Sequence, residues 1–562
     1  MSGAGAKAPA RSSRAAGRQP RTRTEERPAG PLTGVRALLQ LAQRRDRILL
    51  PIWIYVLAII AVSGGYVVKQ IYKTQAARAS LASTVRHDAA LAFIYGQLHG
   101  DSVGALATWR YLVYSALAAG LMSIFLVIRH TRADEEAGRL ELIGSTVVGR
   151  HAALTAALLL ALLANVVALV LTFAILALFG LPVAGALAYG LSEAGCGLVF
   201  AAVAAIAAQV SGTARGARGI AITLLGVAFL LRGVGDSGAS HGLTWLTWVS
   251  PIGWAEEVRA FSGDRWWVLA VPLAAAMAGT AAAFALAGRR DAGAGLVRPR
   301  PGSATADRLL GGPFGLVWRL ERASLAGWSA GFGVAGLAIG VVGNGIGKLI
   351  GSSGGAVDKA LLRIGGQSAL TNAYLAACMA LLGLVAAAYA TGVVLRLRTT
   401  ETDGLGEPIL ASPVSRYRWS GSTLLMTLVG TAVVLVAGGI GMGLGFGLAT
   451  SGVGTWVFRL IGAGMVQLPA ALCVAGIACL AVGLLPRWSV GIGWAAVGIC
   501  GLISLFGPAV QLSQKVLDVF PFTHTPKLPG GAFSATPVLW LCAAALAMTL
   551  AGVAGLRRRD IG

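Results

Sequence analysis

The chain has 562 residues, of which 56% are hydrophobic and only 12% charged, with a mean hydropathy of +0.73. Soluble domains carry about 25% charged residues, so the composition excludes an ordinary soluble enzyme and describes an integral membrane protein. The formal net charge of +23 would point to nucleic acid in a soluble chain; here it reflects topology and anionic headgroups, and no nucleic-acid partner is expected.

Residues 1–30 ("MSGAGAKAPARSSRAAGRQPRTRTEERPAG") hold no apolar core of a cleavable signal and read as a disordered basic tail. In the following "PLTGVRALLQLAQRRDR", Val35, Leu38, Leu39 and Ala42 recur at i, i+3, i+4 and i+7, with basic residues on the other faces. Pro31 stands near its first turn. The pattern predicts a helix lying in the headgroup plane before the chain enters the bilayer.

About 20 apolar residues cross the hydrocarbon layer, and twelve runs qualify: 49–68, 109–128, 153–180, 184–208, 218–234, 266–287, 328–350, 371–395, 420–449, 455–485, 488–507 and 536–556. The long, Gly-rich third, ninth and tenth runs are candidates for tilting or bending. An even number puts both termini on one side. Placing them in the cytoplasm sets the near-membrane clusters Arg44, Arg45 and Arg47, Arg289 and Arg290, and Arg557 to Arg559 on the positive side of the membrane rule. The aromatic stretch "WLTWVSPIGWAEEVRAFSGDRWW" and its later counterpart "VLDVFPFTHTPKLPG" then fall outside, as interfacial anchors or as re-entrant caps over an exit.

After the second run comes a charged cassette, "RADEEAGRLELIGSTVVGR", at 132–150. A diluted copy, "RTTETDGLGEPILASPVSR", stands at 398–416. A shift of 266 residues (132 to 398) brings Arg132 onto Arg398, Glu135 onto Glu401, Gly138 onto Gly404, Glu141 onto Glu407 and Arg150 onto Arg416 without a gap. Towards the ends of the halves the shift drifts, "GRRDAG" at 288 resembling the terminal "RRRDIG". The chain therefore reads as an all-α membrane protein of two tandem, pseudo-symmetric six-span halves, 31–288 and 313–562, joined by a Pro/Gly/Arg-rich cytoplasmic linker at 289–312. A segment from Leu316, "LVWRLERASLAGW", is a weaker counterpart of the first interfacial helix.

Read as a helix, 132–148 places Leu140, Ile143 and Val147 on one stripe and Glu135, Glu136 and Arg139 on the other side. Glu135 and Arg139 form an i,i+4 pair, and Arg132 reaches Glu135 or Glu136. Such a helix suits docking of a soluble partner, and two copies suit a two-fold partner; the plain alternative is a solvated connector.

Six-span halves, an interfacial helix before the first span and an acidic "EEAGRLE" cassette after the second resemble the permeases of type-2 ATP-binding-cassette exporters. The double-length single chain with "RRDAGAGLVRPRPG" in its linker is similar, more narrowly, to actinobacterial permeases of polyketide-antibiotic or multidrug exporters. The resemblance covers the chain beyond its first 30 residues. It implies a type-2 exporter permease fold in a bacterial cytoplasmic membrane and a separate ATPase partner, in two copies, that binds ATP and Mg. It assigns Arg132, Glu135, Glu136, Gly138, Arg139 and Glu141, with Arg398, Glu401, Gly404, Glu407 and Arg416, to coupling helices. Thr402 and Leu405 depart from the pattern, so the two halves need not couple equally.

The chain itself lacks an ATPase. Its nearest approach to a phosphate-binding loop, "VVGNGIGKLI", has Val342 and Leu349 where glycine and a hydroxyl residue are required. No catalytic or metal-ligating constellation is present: six histidines are scattered over loops, and six cysteines sit within apolar runs without a CxxC pair. Within the spans Glu193, Asn165 and Gln467 are the candidates for a polar translocation path, in walls otherwise made of Ala, Gly, Leu and Val that suit a hydrophobic or amphipathic cargo. Two other readings remain at this point. A proton-coupled multidrug carrier would use an intramembrane acid such as Glu193, and the same ATP-driven machine could export lipid or cell-wall precursors.

Overall fold

The computed structural model describes residues 30–86, 88–139, 148–239, 242–290, 293–297, 305, 311–351, 356–450, 452–506 and 518–559, which are helical with no strand among them. The chain opens with α1 (Val35–Arg45), whose basic last turn stops at Asp46. Span 1 follows as α2 (Leu49–Val62), a π-helical turn at Ser63–Val67 and α3 (Val68–Ile71). Two short helices, α4 (Gln75–Val85) and α5 (Ala89–Tyr95), precede span 2, which is α6 (Val103–Arg129). The cassette begins with α7 (Arg132–Glu136). Spans 3 to 5 are α8 (Ala152–Leu178), α9 (Val183–Val210) and α10 (Ala214–Ser237). Short helices α11 (Trp245–Val249) and α12 (Pro251–Glu257) lead to span 6, α13 (Ala270–Ala287).

The later elements are α14 (Pro313–Gly351), α15 (Ala356–Thr402), α16 (Gly406–Ala411), α17 (Arg416–Thr450), α18 (Val453–Met465), α19 (Leu468–Leu484), α20 (Ser489–Phe506) and α21 (Ala535–Arg558). Among the described residues, eleven helices are long and apolar enough to cross a membrane. The run expected at 488–507 falls on α20, whose described apolar part, Ser489–Ile503, is shorter.

In a bilayer, lipid tails are as apolar as leucine, so helices associate through close packing of small residues. The centre of the early half is built that way: α9 packs on α6, α8 and α13 through a surface rich in alanine, including the buried Ala201, Ala204, Ala205 and Ala208. The later half goes further. A Cβ at Gly336 would lie 2.3 Å from the carbonyl oxygen of Gly438, and one at Gly441 would lie 2.0 Å from that of Gly333. The α14–α17 seam is thus backbone against backbone, which accounts for the glycine-rich ninth run.

The tenth run is bent, as its composition allowed. α18 and α19 make one crossing of Val453–Leu484, broken at Val466 and Gln467 just ahead of Pro469, which has no amide to continue the ladder. The expected second interfacial helix differs from the first: α14 runs unbroken from Pro313 into its span. In the early half, Asp46 is pulled out of line by His130 at 2.6 Å and Arg129 at 3.0 Å, and the chain turns there. Arg396, which the repeat shift sets opposite His130, pairs instead with Glu321 from within a continuous helix.

α4 and α5 reach across to pack on α14, and Tyr374 of α15 joins the cluster of Val68, Ala82 and Leu106.

Candidate coupling surface and translocation path

The cassette helix is interrupted early. Gly138 adopts φ 68 and its amide donates to Glu135 O at 3.0 Å, the left-handed cap that glycine permits. Gly404 sits at φ 70 after α15 in the same way. The helix expected over 132–148 therefore breaks at Gly138, and Leu140, Glu141, Ile143 and Val147 lie outside the described residues. The expected Glu135–Arg139 pair is replaced for the same reason: past the break, Arg139 donates to Asp134 at 2.8 Å.

Glu135 turns inward. Arg132 donates to it at 2.9 Å and Arg290, just past α13, grips both of its oxygens at 2.7 and 2.9 Å. The amide of Gly293 adds a bond at 2.6 Å, and Arg290 Nε is fixed by Gln209 at 2.6 Å. Arg132 is itself buried, donating to the carbonyls of Gly212, Gly293 and Ala294. A bidentate guanidinium–carboxylate contact is directional and strong, so the cassette is clasped to the end of span 6 and to the turn before span 5.

The second copy repeats the clasp. Glu401 accepts from Arg398 at 3.2 Å, and Arg559 reaches both of its oxygens at 2.6 Å. Arg150 and Arg416 add matching staples: Arg150 donates to Gly288 O at 2.6 Å, and Arg416 to Arg559 O at 2.7 Å. Arg290 and Arg559 occupy the same place in the resembling "RRD" ends, which explains why those short strings match.

Part of each cassette points outward. Glu136 and Arg139 are exposed, although Glu136 Oε2 also accepts the amide of Ala214 at 2.9 Å. Thr402, Asp403, Gly404, Leu405 and Glu407 are exposed in the second copy. Each cassette thus has a buried, ion-paired base and an exposed tip.

The path candidates lie inside the halves. Glu193 is buried between α8 and α9, with Thr172 Oγ1 at 3.4 Å as its contact, beside the Tyr189–Ser115 hydrogen bond of 3.0 Å. Asn165 donates to Ser123 at 2.9 Å and to Ala161 O at 2.8 Å, in space left by Gly197. Gln467 is buried at the α18–α19 bend against Gly383. The boundary between the halves is lined instead by Tyr95, Tyr111 and Tyr374, with Arg110 over the Tyr95 ring at 4.4 Å and Tyr114 6.0 Å from the same ring. Sequence reading passed over these residues. The signal was present in "WRYLVY", where Arg110, Tyr111 and Tyr114 share one face of an otherwise aliphatic span.

Residues 310–557 match the family model described as the C-terminal domain of multidrug efflux system permease Rv1217c. The whole chain is 41% identical over 536 residues to the multidrug efflux system permease protein Rv1217c of Mycobacterium tuberculosis (strain ATCC 25618 / H37Rv), covering 94% of this chain and 95% of that one. The chain belongs to the multidrug efflux permease family.

The permease is a multi-pass membrane protein, and the end of its early half remote from the cassette carries a charged cluster. Buried Arg232 of α10 reaches Glu256 of α12 at 3.3 Å and Asp236 at 3.6 Å, and donates to Ile94 O of α5 at 3.2 Å. It thereby ties three elements together. Beside it Glu257 holds Arg259 at 3.2 Å and Arg265 at 3.1 Å. Burial, reinforced by those two arginines, lowers the pKa of His99 to about 4. Among the tryptophans of this region, Trp248 and Trp267 stack 5.7 Å apart and nearly parallel, and Trp245, Trp266 and Trp267 are exposed.

Proposed function

We propose that this permease is the transmembrane subunit of an ATP-driven exporter that moves hydrophobic or amphipathic small molecules, drugs and antibiotics among them, outward across the bacterial cytoplasmic membrane. A separate ATPase, in two copies, binds ATP and Mg and docks on the exposed cassette tips, with both termini of the permease on its side of the membrane. The observation that carries this reading is the duplicated clasp. An exposed tip rigidly tied to spans 5 and 6 transmits force; a solvated connector has no need of a bidentate ion pair at its base.

In this scheme ATP binding draws the two ATPase copies together and moves the tips toward each other. Through Glu135–Arg290 and Glu401–Arg559 each movement reaches the end of the sixth span of its half. Access then switches at the boundary between halves, where Tyr95, Tyr111, Tyr114 and Tyr374 offer ring faces and hydroxyls to an amphipathic cargo. The test is export from intact cells with the ATPase subunit present or deleted. Export that persists without any ATPase, and stops when the proton gradient is dissipated, sinks the proposal. Persistent binding of lipid-linked precursors in place of drugs would move the cargo class without moving the mechanism.

A further inference from the structure

The cytoplasmic face holds a pair of crevices related by the repeat, and they differ in charge. The first, of about 410 Å³, lies between α1, the end of α6 and the start of α8. Leu38, Leu41 and Ala153 line its apolar side; Arg45, Arg139 and Asp134 form its polar end. The register shift of 266 residues carries His130, Asp134, Arg139 and Ala153 onto Arg396, Thr400, Leu405 and Trp419, and all four of these line the second crevice, of about 240 Å³.

In the second crevice the charges cancel, Arg215 and Arg396 against Glu321 and Asp403. In the first they do not. Arg45 and Arg139 converge on the single carboxylate of Asp134, at 2.7 and 2.8 Å, which leaves one positive charge over. Arg44 and Arg47 flank the site exposed, and the acid of their own turn, Asp46, is taken by Arg129 and His130. The guanidiniums remain reachable, with side-chain exposures of 28% for Arg45 and 55% for Arg139. α1 also leaves Leu41 46% exposed beside this cationic end, the geometry of a helix at the headgroup–acyl boundary.

We propose that the first crevice binds an anionic glycerophospholipid of the cytoplasmic leaflet. Its phosphate is held by Arg45 and Arg139, whose planar forks match phosphate oxygens, and the first acyl methylenes lie along Leu38 and Leu41. The crevice volume falls in the range of small-ligand sites. The second crevice, neutral and narrowed by Trp419 and Leu405, takes no such lipid. Arg139 is shared with the exposed cassette tip, so the lipid is measured on the permease alone; the site makes the permease asymmetric toward its own membrane.

The test is to reconstitute the full-length permease in bilayers carrying spin-labelled phosphatidylglycerol or phosphatidylcholine, and to compare the immobilised fractions. Each surface arginine favours an anionic lipid by roughly fivefold, so the native permease should prefer phosphatidylglycerol by about that factor or more. The triple variant R45Q/D134N/R139Q, which removes the surplus charge without stranding an unpaired acid, should bring the ratio close to one while eluting as a single folded species. R45K/R139K should keep most of the preference, and R418Q/R558Q, at exposed basic positions of the later half, should leave it unchanged. A native ratio near one overturns the proposal and leaves the crevice to amphipathic cargo. A folded triple variant that retains the preference also overturns it, as does an equal loss in R418Q/R558Q, which would mark a diffuse surface effect.

Discussion

In the early half the carboxylate of Glu135 is bracketed by Arg132 and Arg290, and in the later half that of Glu401 is bracketed by Arg398 and Arg559. Away from this clasp the halves part company. The early half joins α5, α10 and α12 through Arg232, Asp236 and Glu256 and spaces span 1 from span 3 with ordinary side chains. The later half presses α14 onto α17 through bare backbone at Gly333, Gly336, Gly438 and Gly441. The clasped ends are alike, whereas the packing and the opposite ends differ. The geometry common to both halves is therefore the place to look for the mechanism.

The largest expected effect breaks the later half. G441V puts three carbons where backbone already touches backbone, and overpacking of that kind costs about 1–3 kcal/mol or more. The protein should be lost from the monodisperse fraction on size exclusion, whereas valine at Gly138 or Gly404, where a Cβ meets nothing within 4 Å, should strain only a turn. Next come the clasps. R290Q and R559Q each remove one of the two guanidiniums that bracket a mostly buried carboxylate, a loss of about 1.5 kcal/mol. They should lower thermal stability by similar amounts and should uncouple ATPase stimulation from transport, with R290K restoring part of both. Unequal effects would show that only one half transmits.

A smaller effect separates the ends remote from the cassettes. His99 stays neutral in the folded protein down to pH about 4, while its unfolded value is near 6.5. The unfolded chain therefore binds more protons between those values, and stability contributed at this site falls as pH drops through that window. H99Q should flatten the pH dependence of thermal unfolding between about 6.5 and 4 and leave it alone above. The smallest effect belongs to E193Q. Glu193 lies within the early half and away from the boundary, so export should change by less than about twofold; abolished export would favour a proton-driven carrier.

Much of this was legible in residues alone. Span positions follow from length and hydropathy, and the in-register Arg132, Glu135 and Gly138 exposed the repeat before any coordinates. Long-range partners were not legible. Glu135 has Arg139 at helical spacing, and only the break at Gly138 releases it to Arg290, 155 residues away. α4 was missed because "QAARASLASTV" is too polar to resemble a span and too short to declare itself. The glycines of the ninth run were visible as composition, but α14 as their partner was not. Asn165 and Glu193 looked like path residues because a polar side chain in a span needs a partner; they find it within their own half.

The most direct test is purification of the tagged permease from its own host in mild detergent, beside a variant altered only at the exposed tips, E136Q with D403K/E407K, which keeps the Arg139–Asp134 pair and an acceptor for the amide of Ala214. The native chain should elute with an ATP-hydrolysing subunit, and the variant, equally monodisperse and thermally stable because Glu135 and Glu401 are untouched, should elute without it. A variant that keeps its ATPase, or a well-folded native chain that elutes alone under several mild conditions, would contradict the assignment of the two tips as the coupling surface.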